Sequence, residues 1–285
     1  MRASIGGLGN NNVKAYRYKE LFTLDKSPLV INGSSPTVTS IPSTIPDSLT
    51  WEPAVTGDVG LDLGFLGGRL NLTADGYIRK TLDMFCVGPT LPEVFGASSP
   101  KGNYGEMTTR GYELNISWAD RFDAGGKPFH YSIKASLSDY VSKIDKFNNA
   151  TGNLGDYYAG QTIGEIWGFI SNGLYQTQEE VDRDQALAEA AGQTHFNNLM
   201  QLSESYVNYP GDIKFEDLNG NGYLDKGSNT VSDPGDRRII GNSEPRYVYG
   251  FGFDLEWNGI FLNAYFQGIG KRDWYPSNES STFWG

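Results

Sequence analysis

From Arg69 to Arg79 the chain reads RLNLTADGYIR, and its character flips at every residue. Leu70, Leu72, Ala74, Gly76 and Ile78 take one parity; Arg69, Asn71, Thr73, Asp75 and Arg79 take the other. A period of two belongs to an extended strand with one apolar face, and no α-helix can use it. The same alternation recurs at 55–65, 111–118, 129–138, 247–257 and 262–267. Repeated dyads of this kind predict an antiparallel sheet.

The connections between these segments alternate in length. Gly67-Gly68, Asp123-Ala124-Gly125-Gly126 and Asn258-Gly259 are tight hairpin turns. The others are long: Thr81 to Glu106, Lys143 to Arg246, and everything beyond Arg272. Short turns on one side and long loops on the other are the asymmetry of an outer-membrane barrel. Strands of about ten residues reach across a bilayer at a barrel tilt. Tyr77, Trp118, Tyr140, Tyr247 and Trp257 stand near strand ends, where interfacial aromatic girdles lie. A soluble β-sandwich with one wet face alternates in the same way. The dyads leave both architectures open, and the loop asymmetry favours the barrel.

Composition narrows the function classes. Aromatic residues at 13% together with 36 Gly fit strands joined by turns. A net charge of −11 with no basic stripe excludes a nucleic-acid partner. Met1 to Ile5 lacks the apolar region of a signal peptide. Cys86 is the single cysteine, so the chain builds no internal disulfide, and its apolar neighbours Phe85 and Val87 fit an inert thiol. His130 and His195 lie in no nucleophile motif, and a glycosidase pair such as Glu165 and Asp212 has only loop carboxylates behind it. No enzyme is expected.

The long middle connection has its own signals. Thr177-Gln178-Glu179-Glu180 is a capping box that opens one short helix, ending near Gly192. Aromatic Trp167, Tyr175 and, beyond the last strand, Trp274 are the candidate surface for a substrate or partner, since sugar platforms and interface anchors favour such rings. A loop this long also needs a small core of its own, and packing competes for the same rings.

FEDLNGNGYLD at 215–225 carries oxygen-bearing side chains at calcium-loop offsets. Counting from Asp217, positions three, five and nine are Asn219, Asn221 and Asp225; Gly222 makes the sharp turn and Tyr223 offers a carbonyl. Position twelve should be a bidentate acid but is Ser228, and the acids that could complete the shell, Asp233 and Asp236, come later. A Ca2+ loop over 217–236 and a self-stabilised Asn-Gly turn both remain open.

The stretches TWEPAVTGDVGLDLGFLGGRLNLTADGYIRKTLDMF (50–85), GQTIGEIWGF, PGDIKFEDLNGNGYLD, IIGNSEPRYVYGFGFDLEWNG and FQGIGKRDWYPS, in this order, resemble the SusC/RagA-type TonB-linked outer-membrane transporters. In that family the Asp-Asn-Gly segment usually runs straight into Gly-Asp-Arg. Here Gly235-Asp236-Arg237 supplies that continuation, displaced by an insertion of residues 226–234, so the resemblance points to Asp236 as the twelfth ligand. It also implies an all-β fold: antiparallel up-and-down strands forming part of a large transmembrane barrel, with long extracellular loops and one short loop helix. Family barrels have about twenty-two strands. Residues 1–285 are then an internal barrel segment, with 143–246 an extracellular insertion and the plug domain and remaining strands absent. The implied partners are a SusD-like surface lipoprotein, the TonB complex through that plug, outer-membrane lipid, and an oligosaccharide or peptide substrate. The implied location is the outer membrane of a Gram-negative, Bacteroidetes-like bacterium. The rival from another class is a secreted calcium-dependent carbohydrate-binding β-sandwich.

Overall fold

The computed structural model describes residues 1–11, 19, 22–39, 45, 49–89, 91–92, 94, 99–197 and 208–275. Expectations that fall on 198–207 and 276–285 lie outside the described residues. In chain order the strands and helix are β1 Arg2–Asn10, β2 Leu24–Lys26, β3 Thr37–Thr39, β4 Glu52–Phe65, β5 Leu70–Val87, β6 Lys101–Ala124, β7 Lys127–Lys146, β8 Glu165–Phe169, β9 Ser171–Leu174, α1 Gln178–Ala190, β10 Ile213–Phe215, β11 Arg237–Asn242, β12 Arg246–Trp257 and β13 Ile260–Lys271. They divide between two compact units, one of residues 1–148, 159–161 and 246–270, the other of 149–158, 162–245 and 271–285.

The first unit is a seven-stranded sheet in the order β1-β4-β5-β6-β7-β12-β13, with β2 and β3 as a separate ribbon. Directly opposed residues of an antiparallel pair share a face. The pairs Leu63↔Leu72, Leu72↔Ile116, Ile116↔Ala135 and Ala135↔Phe251 therefore run one apolar row across five strands. Asp62↔Thr73, Thr73↔Asn115, Asn115↔Ser136 and Ser136↔Gly250 run a polar row on the opposite face. The parity read from the sequence holds at every one of these positions.

The apolar row is bare. Val59 is 54% exposed, Ile78 48%, Ile116 46%, Phe251 42% and Leu262 53%. Burying such a side chain stabilises by about 1.5–3 kcal/mol, so a face this large persists only against an apolar medium. A sandwich would cover it with a second sheet, yet the other sheets among the described residues have two strands each. The architecture is antiparallel barrel wall, and the sandwich expectation fails on this face. On β12 the rings of Tyr247 and Trp257 stand ten residues apart. That is about 34 Å along the strand, or about 26 Å at a ~40° tilt, the height of a barrel's apolar band.

The strands outrun the expected ten residues, reaching 18 in β5, 24 in β6 and 20 in β7. The connection expected from Thr81 to Glu106 shrinks accordingly to 88–100. Ladder hydrogen bonds need no alternating pattern, so the sheet continues where alternation gives way, to polar residues at the start of β6 and to an apolar run at the end of β5. Leu82 and Asp83 bulge out of the ladder, Asp83 at φ 48°, and pairing resumes at Met84 opposite Gly105.

The second unit has two ribbons, β8 with β11 and β9 with β10, around the helix. Thr177 caps α1 as its sequence demands: its hydroxyl accepts the Glu180 amide at 3.4 Å, and the Glu180 carboxylate accepts the Gln176 amide at 3.0 Å. Ala188, Phe196 and Leu224 form a small buried core, flanked by Phe215 and Tyr223.

Candidate functional site

The 217–236 loop leaves β10 and returns in β11. Its side chains make the turn themselves. Asp217 accepts the amides of Gly220 at 2.6 Å and Gly222 at 2.7 Å, Asn219 accepts that of Asn221 at 3.0 Å, and Asn221 that of Tyr223 at 3.1 Å. Gly222 sits at φ 93°, where a side chain is strained, and an added Cβ would lie 3.0 Å from the Leu187 carbonyl of α1. Leu224 is 1% exposed and packs on Ala188. The loop is therefore framed by α1, although its neighbourhood in sequence is strand-like.

Asp236 comes back to the start of this loop across the insertion. It is wholly buried; one carboxylate oxygen accepts the amides of Leu218 at 2.8 Å and Asn219 at 3.1 Å, the other that of Asp225 at 2.9 Å. The insertion closes on itself instead: Asp233 accepts the Ser228 amide and hydroxyl at 2.8 and 2.6 Å, which holds its carboxyl below the usual range. Burial pushes the Asp236 carboxyl up, the Asp217 charge adds to this, and the three amides oppose it. Among the described residues none of Asp217, Asp225 and Asp236 forms an ion pair.

This donor set fits a hard cation on charge: one loop gathers three carboxylates and two amide oxygens without a basic side chain in an ion pair with the acids. Among the described residues no three Asp, Glu, His or Cys side chains stand as a metal cluster by themselves. The Asn219 and Asn221 oxygens and the Tyr223 carbonyl would have to share the ligation with the acids.

The three candidate surface aromatics separate. Trp274 is 75% exposed. Trp167, on β8, is half-buried and donates its indole N–H to the Tyr158 hydroxyl at 3.3 Å. Tyr175 is only 2% exposed, which corrects its expected place on the surface. Its hydroxyl donates to Asp184 at 3.1 Å and Lys214 lies over its ring at 5.4 Å, so it packs the unit. Burial, with the Asp184 carboxylate next, raises its pKa. Burial also pushes the Tyr158 hydroxyl up to about 12, reinforced by Glu165, to which it donates at 2.5 Å. Glu165 and Asp212 are both engaged locally, Glu165 by Tyr158 and Thr162, Asp212 by the Tyr209 amide.

The sequence reading missed a hollow on the polar face of the sheet. It has a volume of about 330 Å³ and is lined by Asn71, Thr73, Asn115, Ser117, Lys134 and Tyr265, among others. Gly250 makes room there: a Cβ would collide with the Tyr265 hydroxyl and approach the Ser136 hydroxyl to 2.9 Å. Amide and hydroxyl groups on one face are legible in the dyads. The Gly250–Tyr265 approach is not, because it joins two strands side by side.

No protein-family model matches the chain. It is 27% identical over 279 residues to TonB-dependent receptor P3 of Formosa agariphila, covering 93% of this chain and 25% of that protein. To TonB-dependent receptor SusC of Bacteroides thetaiotaomicron it is 27% identical over 205 residues, 68% of this chain and 18% of that one. Among solved structures, the RagAB peptide importer in its open-open state superposes with a TM-score of 0.64 at 18% identity, over 94% of this chain and 25% of that one. The closed-closed state gives 0.60 at 20% identity. The chain spans about a quarter of the length of the first of these relatives. In sequence and in fold it matches a barrel segment of the SusC/RagA-type TonB-linked outer-membrane transporters.

Proposed function

We propose that this chain forms part of the wall and outer loops of a TonB-dependent transporter that imports glycans or peptides across an outer membrane, together with a SusD-like lipoprotein. The observation that carries the proposal is the two-faced sheet: one bare apolar face for lipid, and one face of amides, hydroxyls and charges for a wet lumen. The likeness to receptors and importers supports it, and supports a transporter over an enzyme. The outer membrane of a Bacteroidetes-like bacterium is the location, and TonB coupling would run through a plug in the longer protein.

Within this reading the second unit is an extracellular insertion, and its 217–236 loop binds Ca2+ through Asp217, Asn219, Asn221, Asp225, Asp236 and the Tyr223 carbonyl. The ion's work is structural: it neutralises a buried carboxylate and pins the loop to α1. Trp274, with the half-buried Trp167, is the surface offered to substrate or lipoprotein. Deleting 157–210 from the full-length protein tests the assignment. Lipoprotein pull-down from detergent extracts and growth on the imported nutrient should both fail while the barrel still inserts. Normal association and growth in that strain would sink it.

A further inference from the structure

On β5, β6 and β7 the outward face changes chemistry at one level. Along β6 the outward residues run Trp118, Ile116, Leu114, Tyr112, and then Arg110 and Thr108. Register places Arg110 opposite Ile78 and Val141, and Thr108 opposite Lys80 and Lys143. Lys80, Arg110 and Lys143 are thus on the same face as the lipid-facing row, just past its end and away from the tight turns. They line one hollow of about 820 Å³ with Thr108, Glu106 and Asp145.

Glu106 in this hollow is ion-paired and Asp145 is held by a neutral hydroxyl, so among the described residues three unpaired cations face one unpaired carboxylate. Asp145 accepts the Thr108 hydroxyl at 2.5 Å, and Glu106 pairs with Lys146 at 3.4 Å. Among the described residues Lys80, Arg110 and Lys143 form no ion pair, and all three are exposed. Cations directly above a face that contacts acyl chains meet the phosphates to which those chains are attached. A lumen solute would instead meet the opposite face.

We infer that the outward hollow of Lys80, Arg110 and Lys143 binds the phosphate of a lipid headgroup, whose acyl chains lie along Ile78, Leu114 and Ile116. The inference rests on the transmembrane reading of the sheet, and its test keeps the two apart.

The full-length protein is purified in detergent, as wild type, as the Lys80→Gln/Arg110→Gln/Lys143→Gln variant, and as Arg79→Gln, which removes a cation from the inward face. Native mass spectrometry then titrates each with short-chain phosphatidic acid, with diacylglycerol and with inorganic phosphate. Heat-modifiable electrophoretic migration reports barrel integrity separately. Phosphatidic acid should bind wild type and Arg79→Gln alike and the triple variant at least about tenfold more weakly. Diacylglycerol should bind none of them well, and inorganic phosphate should not compete. Equal binding of phosphatidic acid by wild type and an intact triple variant overturns the inference, as does competition by inorganic phosphate. Loss of the heat-modifiable form in wild type would count against the barrel itself.

Discussion

Arg246 grips Asp139 across the β7–β12 ladder, donating from Nε at 2.6 Å and from Nη2 at 2.5 Å to the two carboxylate oxygens. Asp139 follows Leu137 on the apolar parity, and its side chain is 5% exposed against 29% for Arg246. An acid there is tolerable only because the planar guanidinium meets both of its oxygens. Asp139→Ala strands the cation and should destabilise the barrel by about 3 kcal/mol. The Asp139→Leu/Arg246→Leu double variant should recover much of this. Heat-modifiability midpoints in detergent read both, and equal losses in the two variants would deny the coupling.

The two faces of the sheet make a labelling prediction. In a Cys86→Ser background, single cysteines at Asn71, Asp75, Glu113 or Asp254 should react with a water-soluble maleimide. Cysteines at Leu70, Leu72, Ile78, Leu114, Ile116, Phe251 or Phe253 should resist it. Leu72→Arg should lower barrel stability by about 2–4 kcal/mol if it lies near the bilayer midplane. Equal labelling of both sets ends the lipid-facing assignment.

For the cation loop, terbium luminescence on the full-length protein should show binding near the ~10⁻⁴–10⁻³ M range of extracellular calcium modules, with Tyr223 as antenna. Asp217→Ala and Asp236→Asn should each weaken it by an order of magnitude or more, and Ca2+ should displace the terbium. An unchanged signal in both variants would leave only a turn closed by its own side chains.

Alkaline pH should act through Tyr158 and Tyr175. Both hydroxyls have folded pKa values above the unfolded value of 10.0, Tyr158 at about 12. The sign follows directly: their contribution is fully present below pH 10 and is lost as pH rises from there through the folded values. Absorbance at 295 nm should show both tyrosines ionising after the exposed ones, and Tyr158→Phe should remove one late step without lowering stability at pH 8 by more than about 1 kcal/mol.

Where side chains meet a uniform medium, the sequence is legible residue by residue. Leu72 and Asn71 differ because lipid and water lie on opposite sides of one strand, and that difference survives in the text of the chain. Thr177 is equally plain, since a helix end needs its amides capped. β1 is not: RASIGGLGN places five small residues in nine, and too few apolar side chains remain to mark a face. The polar start of β6 is silent for the same reason, and the apolar run that ends β5 hides its strand because it does not alternate. Tyr175 shows another limit, because a ring in a loop carries no sign of whether Asp184 and Lys214 will close around it. Position alone leaves Asp233 and Asp236 as equal candidates, and only the family pattern favours Asp236; nothing local connects it to Asp217, nineteen residues earlier.

β7 and β12 are neighbours in the ladder although 99 residues separate Lys146 from Arg246. Residues 147–245 therefore leave one strand and return in the next; Val248 pairs with Ser138, so β7 runs on about 20 Å past the level at which β12 begins. To the sheet this stretch is a hairpin turn that has grown into a module. Closing a longer segment between fixed ends adds only about 0.6 kcal/mol per doubling of length. Such a seam is a graft point: loops of other lengths and specificities can be exchanged there without shifting the register of a single lipid-facing residue.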